Sequence, residues 1–103
     1  MVCDVLPDLA EEIKSLLSCE GEEKLVRQVS ELRIIERCRC GDDFCATVYT
    51  ASPPRGAWGP GHYTLPLTPK RGFLNVDVLD GEIVKLEVLF RDDIRERLLS
   101  LLP

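Results

Sequence analysis

Three of the five cysteines lie close together, in the run Cys38-Arg-Cys-Gly-Asp-Asp-Phe-Cys45. Thiolate sulfur is a soft ligand that suits zinc, and a structural zinc site normally takes four Cys or His groups in a tetrahedron. Cys38, Cys40 and Cys45 supply three such groups, separated by one and by four residues. Familiar zinc knuckles instead repeat a pair of cysteines about two to four residues apart. The run is therefore a candidate zinc site with an unusual spacing.

The fourth ligand of such a site would be His62, the only histidine, or one of the two remaining cysteines, Cys3 and Cys19. An odd number of scattered cysteines is not typical of a secreted disulfide scaffold. We therefore expect the cysteines to be reduced unless a metal binds some of them. A redox pair within the run is the other chemical alternative.

The thiols flank a turn between two strand-like runs, 32–40 and 44–50, which together indicate a hairpin. Residues directly opposite each other share a face, so if Cys40 lies opposite Cys45, all three thiols point to one side. An odd-length turn separates Cys45 and groups Cys38 and Cys40 with apolar side chains, namely Ile34, Phe44, Ala46 and Val48. We predict the odd-length turn, because its apolar surface is better, and interpret Cys38 and Cys40 as small core side chains.

A second candidate site is the loop that follows this hairpin, where proline and glycine are too frequent for a helix or a strand. Loops of about a dozen residues are uncommon in small domains and are often functional. This loop leads from Trp58, the only tryptophan, to His62 and Tyr63. We name these three residues as candidate contacts for a small molecule.

The spacing of apolar residues predicts three helices. Pro7 suits a first helical position, and the pattern that follows predicts a helix over 7–19. A second helix is predicted over 22–31, after Gly21. The last begins at Asp92, which can cap it.

Region 72–90 alternates apolar and polar residues in two runs joined by Asp80-Gly81, a strong hairpin signal. A two-residue loop would place apolar residues opposite charged ones, so we predict a three-residue turn over 79–81. That turn sets two pairs opposite each other: Val76 with Val84, and Leu74 with Leu86.

The alternating run 63–67 indicates a further short strand, which Pro66 would confine to a sheet edge. The order is then helix, helix, strand, strand, edge strand, strand, strand, helix. Hairpin connections favour an antiparallel sheet, and amphipathic helices need an apolar surface to cover. We predict a single α+β domain over residues 1–103, a two-layer sandwich in which helices cover one face of a sheet of four to five strands.

Acidic residues outnumber basic ones, 18 to 13, which gives a formal net charge of −5. This charge repels a phosphate backbone, so we expect no nucleic-acid partner and favour a protein partner of more basic character. The N-terminus lacks the features of a signal peptide, and no apolar run approaches the roughly 18 to 20 residues of a membrane span. We expect a cytoplasmic protein that does not contact membranes, and the sequence indicates no particular oligomeric state.

The sequence contains no Gly-rich phosphate loop and no catalytic constellation, so we expect a non-enzymatic protein. The leading interpretation is a protein-binding module, such as an immunity-type protein that acts on a more basic target. One alternative is a zinc-stabilised module built on Cys38, Cys40, Cys45 and His62. The other is a small-molecule binder that uses the 52–63 loop. We expect no cofactor apart from this zinc alternative.

Two segments carry resemblances. The cysteine run and the later Gly56-Ala-Trp-Gly-Pro-Gly-His62 resemble small hypothetical proteins of bacterial genomes. The segment from Val78 to Leu89 is similar to a bacterial domain of unknown function, in which an Asp-Gly hairpin precedes Ile-Val-Gly-Ile-Glu-Ile-Leu. Lys85 stands where that family has its glycine. Both resemblances imply a bacterial source, and neither implies a catalytic residue.

Overall fold

Four helices and five strands make up the part of the chain that the structure, a computed structural model, describes, residues 1–102. The elements are α1 (Val2–Val5), α2 (Pro7–Cys19), α3 (Glu23–Val29), β1 (Glu36–Arg37), β2 (Val48–Tyr49), β3 (His62–Leu67), β4 (Phe73–Leu79), β5 (Glu82–Leu89) and α4 (Asp92–Leu101). The strands form one antiparallel sheet in the order β1-β2-β5-β4-β3. The predicted α+β class is confirmed, and β3, which contains Pro66, is an edge strand as expected.

The helices pack on the sheet through the apolar residues that their spacing identified. α2 matches the predicted range 7–19, whereas α3 is shorter than the predicted 22–31. Helix and strand residues form one buried cluster, which includes Leu9, Ile13, Leu17, Leu25, Val29, Val48, Val76 and Leu86. Within residues 1–102, no helix is both long enough and apolar enough to cross a membrane.

The helix α1 was not predicted, because four residues are too few to display a helical period. Long-range contacts hold it in place. The Val2 N–H donates to the Leu32 carbonyl at 2.8 Å, and the Val2 side chain is fully buried. Tertiary packing thus fixes a segment whose own sequence gives no signal.

The turn between β4 and β5 contains two residues, so the predicted three-residue turn is wrong. Leu79 lies opposite Glu82, and Asp80 and Gly81 between them have φ values of 51° and 84°. Two successive positive φ values are typical of a type I′ turn, whose twist matches that of the flanking strands. An Asp-Gly pair tolerates this geometry well.

A bulge in β5 restores the apolar alignment that the two-residue turn alone would lose. The register shifts after Asp77 opposite Lys85, which leaves Val84 as the extra residue. Val84 has no partner residue in β4, and its carbonyl accepts hydrogen bonds from the backbone N–H groups of Thr50 and Ala51, at 3.0 and 3.3 Å. Apolar residues do face each other, but in pairs other than those predicted: Val76 with Leu86, and Leu74 with Val88.

The helix α4 is anchored to the other helices by arginine. Arg91 is only 7% exposed, and its two terminal nitrogens donate to the Glu12 carboxylate of α2 at 2.8 and 2.9 Å. The hydrogen bonds to Glu12 raise the pKa of Arg91 above its usual value, despite its burial. Farther along, Arg97 Nε donates to the Val5 carbonyl at 2.6 Å. These bonds fix the face of α4 that meets the first hairpin.

Candidate metal centre

The first hairpin has the register that brings the three thiols together. β1 pairs with β2 so that Arg37 lies opposite Val48. The same alignment, continued toward the turn, sets Cys40 opposite Cys45. The predicted odd-length turn is therefore wrong, and so is the interpretation of Cys40 as a core side chain, because Cys40 is exposed.

The neighbouring strand fixes which face of β2 is buried. β2 pairs with β5 so that Val48 lies opposite Leu86, and both side chains are fully buried. In the register that β1 adopts, Arg37 lies opposite Val48, where the matching of apolar faces called for an apolar residue. The position tolerates arginine because Arg37 Nε donates to the Leu102 carbonyl at 2.6 Å, just after α4.

The sulfur atoms of Cys38, Cys40 and Cys45 all lie within 4.8 Å of one another. Zinc bonds thiolate sulfur at about 2.3 Å, so a tetrahedral site needs sulfurs about 3.8 Å apart. Small side-chain rotations would close that difference. Cys38 and Cys45 are half-buried and Cys40 is exposed, so a metal could enter from solvent.

Cys45 is held by the central part of the sheet. It forms an isolated antiparallel bridge with Leu89, and the next residue, Ala46, donates its N–H to the Val88 carbonyl at 2.8 Å. On the other side of the turn, the Cys38 N–H donates to the Thr47 carbonyl at 2.9 Å. The thiols therefore project from paired backbone on both sides of the turn.

Cys40 and Cys45 differ in acidity. Burial raises the pKa of Cys45, but hydrogen bonds from the Thr47 hydroxyl and N–H, and from the thiols of Cys40 and Cys38, lower it below its usual value. The Asp42 N–H lowers the pKa of Cys40. Hydrogen bonds between Cys40 and the two other thiols, together with the charge of Cys45, outweigh this effect and raise the pKa of Cys40 to about 11. Cys45 is therefore the first of the two to become a thiolate.

A pocket of about 180 Å³ opens beside the sulfurs. Besides the thiols and the turn residues Gly41 and Asp42, three side chains line it: Arg37 from β1, and Arg95 and Leu99 from α4. Arg95 and Leu99 are four residues apart and so share one face of the helix. This contribution was not predicted, because nothing in the pattern of α4 indicates that this face meets a turn some fifty residues earlier.

His62 does not join the thiols, contrary to its assignment as a fourth ligand. It lies on β3, and the sheet order places β3 and β1 at opposite edges. Its Nε2 is 2.8 Å from Asp77 Oδ1, and the Thr64 hydroxyl donates to the same oxygen at 2.6 Å. Cys3 and Cys19 are also outside the thiol cluster in the described chain.

Of the three residues predicted to contact a small molecule, Trp58 and His62 lie together, whereas Tyr63 does not join them. The rings of Trp58 and His62 stack with their centroids 6.3 Å apart, and Trp58 also lies 6.5 Å from the ring of Tyr49. Tyr63 follows His62 directly in β3, so its side chain points to the other face of the sheet. Ligand binding by this group stays a prediction.

The fold and the site together define a small α+β protein with three thiols clustered at its surface. Comparison with protein-family models, with curated proteins and with solved structures gives no match. The functional conclusion therefore depends on the chemistry of the site.

Proposed function

We propose that this protein binds zinc through Cys38, Cys40 and Cys45. The observation that carries the proposal is the mutual approach of the three sulfurs to within 4.8 Å. Because the ligands are already close, little conformational entropy must be lost when the metal binds. Thiolate sulfur also favours zinc over the hard cations calcium and magnesium.

Three protein ligands leave one coordination position of a tetrahedral zinc ion open to water or to another molecule. Closed, purely structural zinc sites use four protein ligands, whereas sites that bind further ligands keep one position free. The main core of the protein is built from apolar residues of the helices and the central strands. The zinc therefore stabilises the first hairpin, while the rest of the fold does not depend on it.

Elemental analysis tests the proposal directly. After incubation with excess zinc and removal of the unbound metal, we expect about one equivalent per chain, because the described part of each chain, residues 1–102, offers one such cluster. The Cys19→Ser variant, altered at an exposed cysteine outside the cluster, should retain the same amount. Less than about a tenth of an equivalent in the unaltered protein would contradict the proposal.

A second candidate function is the binding of a protein of more basic character, and an exposed aromatic cluster favours it. Phe44, Phe73 and Phe90 are 36%, 57% and 55% exposed. The ring of Phe90 stacks on Phe44 with centroids 5.0 Å apart and lies 5.9 Å from Phe73. Phe90 also has a φ of 59°, a strained conformation for a bulky residue. Exposed apolar clusters and strained backbone both concentrate at binding surfaces.

Charge indicates the chemistry of this partner. Exposed aspartates flank two of the rings in sequence: Asp42 and Asp43 precede Phe44, and Asp92 follows soon after Phe90. Together with the net charge of −5, they favour a basic segment that places an apolar side chain between lysines or arginines.

A synthetic peptide of alternating lysine and leucine is a defined probe of this surface. We expect it to bind more tightly than its glutamate counterpart, and Phe73→Ser to weaken binding about tenfold, as the loss of one buried aromatic contact would. Ile35→Ser is the matched control, because Ile35 is an exposed apolar residue outside the cluster. Equal losses of peptide affinity in the two variants, measured by fluorescence anisotropy, would argue against the aromatic cluster as the binding surface.

A further inference from the structure

The pocket beside the thiols is larger than a metal-bound water requires. Its volume of about 180 Å³ compares with roughly 30 Å³ for one water molecule in the liquid. Three of its lining residues are the proposed zinc ligands, so the open coordination position has space around it for a small molecule.

Two guanidinium groups line this pocket. Arg37 is oriented by two backbone carbonyls, since its Nε donates to Leu102 at 2.6 Å and its Nη1 donates to Cys38 at 3.3 Å. Arg95 also lines the pocket, and within residues 1–102 its side chain has no hydrogen-bond or ion-pair partner. Guanidinium groups bind carboxylates and oxyanions through paired, charge-assisted hydrogen bonds.

The charges around the pocket permit an anion to bind. Zinc with three thiolates carries one net negative charge, which the two arginines more than offset. Asp42, the remaining charged residue of the lining, returns the total to about zero. With zinc bound, an incoming anion would meet a site of about zero net charge, with two guanidinium groups on its wall and a cation held by the three sulfurs.

We propose that the fourth coordination position of the metal takes a small carboxylate or inorganic oxyanion, which Arg95 and Arg37 also bind. The inference rests on the proposed zinc site. The step is a simple ligand exchange: a metal-bound water leaves, one oxygen of the anion takes its place, and no bond is oxidised or reduced. The other oxygens of the anion accept hydrogen bonds from the guanidinium groups.

Cobalt(II) is the probe for this proposal, because it replaces zinc in thiolate sites and its visible absorption reports its ligands. We expect inorganic phosphate, acetate or both to change the spectrum of the cobalt-loaded protein in a saturable way. Arg95→Gln should weaken that anion binding by about tenfold or more, the loss typical of one charge-assisted hydrogen bond. Arg55→Gln is the charge-matched control, since Arg55 is exposed in a loop and outside the pocket lining.

The outcomes separate the two proposals. Failure of the unaltered protein to bind cobalt or zinc would overturn the proposed function and the anion site together. If cobalt binds but neither phosphate nor acetate changes its spectrum at about 50 mM, the anion site alone would be overturned. That concentration is well above a dissociation constant of about 1 mM, which is typical of a weak complex. Equal anion affinities for Arg95→Gln and Arg55→Gln would also overturn it. A larger loss in Arg95→Gln, with cobalt affinity unchanged, would support it.

Discussion

Replacement of Cys45 with serine is expected to weaken zinc binding by about 100-fold or more. The pKa of Cys45 lies below its usual value, and the sheet holds this residue through its bridge to Leu89. A serine hydroxyl at that position stays protonated and is a poor ligand for zinc. Competition against a chromophoric chelator would measure the dissociation constants of the variant and of the unaltered protein.

Cys19→Ser provides the matched control for this loss, because it makes the same chemical change at an exposed position outside the cluster. Circular dichroism of both variants should show the helix and strand content of the unaltered protein, since neither side chain belongs to the buried core. Equal zinc affinities for the two variants would mean that Cys45 is not a ligand.

A second large effect is expected in the reactivity of Cys40. In the metal-free protein at pH 8, its alkylation by iodoacetamide should be about 100-fold slower than that of a cysteine in an unstructured peptide. The reason is its pKa of about 11, about two units above an ordinary thiol, which lowers its thiolate fraction about 100-fold. Peptide mass mapping over time would measure the rate, even though Cys40 is exposed to the reagent.

The Cys45→Ala variant tests the cause of this slow reaction. It removes both the sulfur that accepts the Cys40 proton and the charge that opposes a second thiolate. Alkylation of Cys40 should then accelerate toward the rate of the unstructured peptide. With a pKa of about 11, the rate in the unaltered protein should rise about tenfold per pH unit from pH 8 to pH 10. A rate that instead levels off by about pH 10, as an ordinary thiol would, would contradict the raised pKa.

Local patterns predicted most of the elements, whereas pairings set elsewhere in the chain decided the registers. Apolar spacing identified α2, and Pro66 identified β3 as an edge strand. The register of the thiol hairpin could not be read from its own residues, because Arg37, opposite Val48, is accommodated by a hydrogen bond to the Leu102 carbonyl, 65 residues later in the chain. A bulge at Val84, which has no signature in the sequence, likewise corrected the alignment of β4 and β5.

The sequence also identified only part of the candidate site. Cys38, Cys40 and Cys45 were recognisable from their clustering alone. The arginines of the pocket were not, because Arg95 comes from α4 and reaches the turn only through the packing of that helix. His62 was assigned wrongly, since the order of strands that separates it from the thiols is a property of the whole sheet.

The two edges of the sheet have a consequence for self-association. β1, at one edge, contains two residues, and β3, at the other, contains Pro66, which has no N–H to donate. Another copy of the chain therefore finds only short stretches of unpaired backbone against which to add a strand. In the described part of the molecule, both edges are thus protected against the edge-to-edge growth of amyloid-like fibrils. This protection allows the protein to expose aromatic rings and thiols without that route to aggregation.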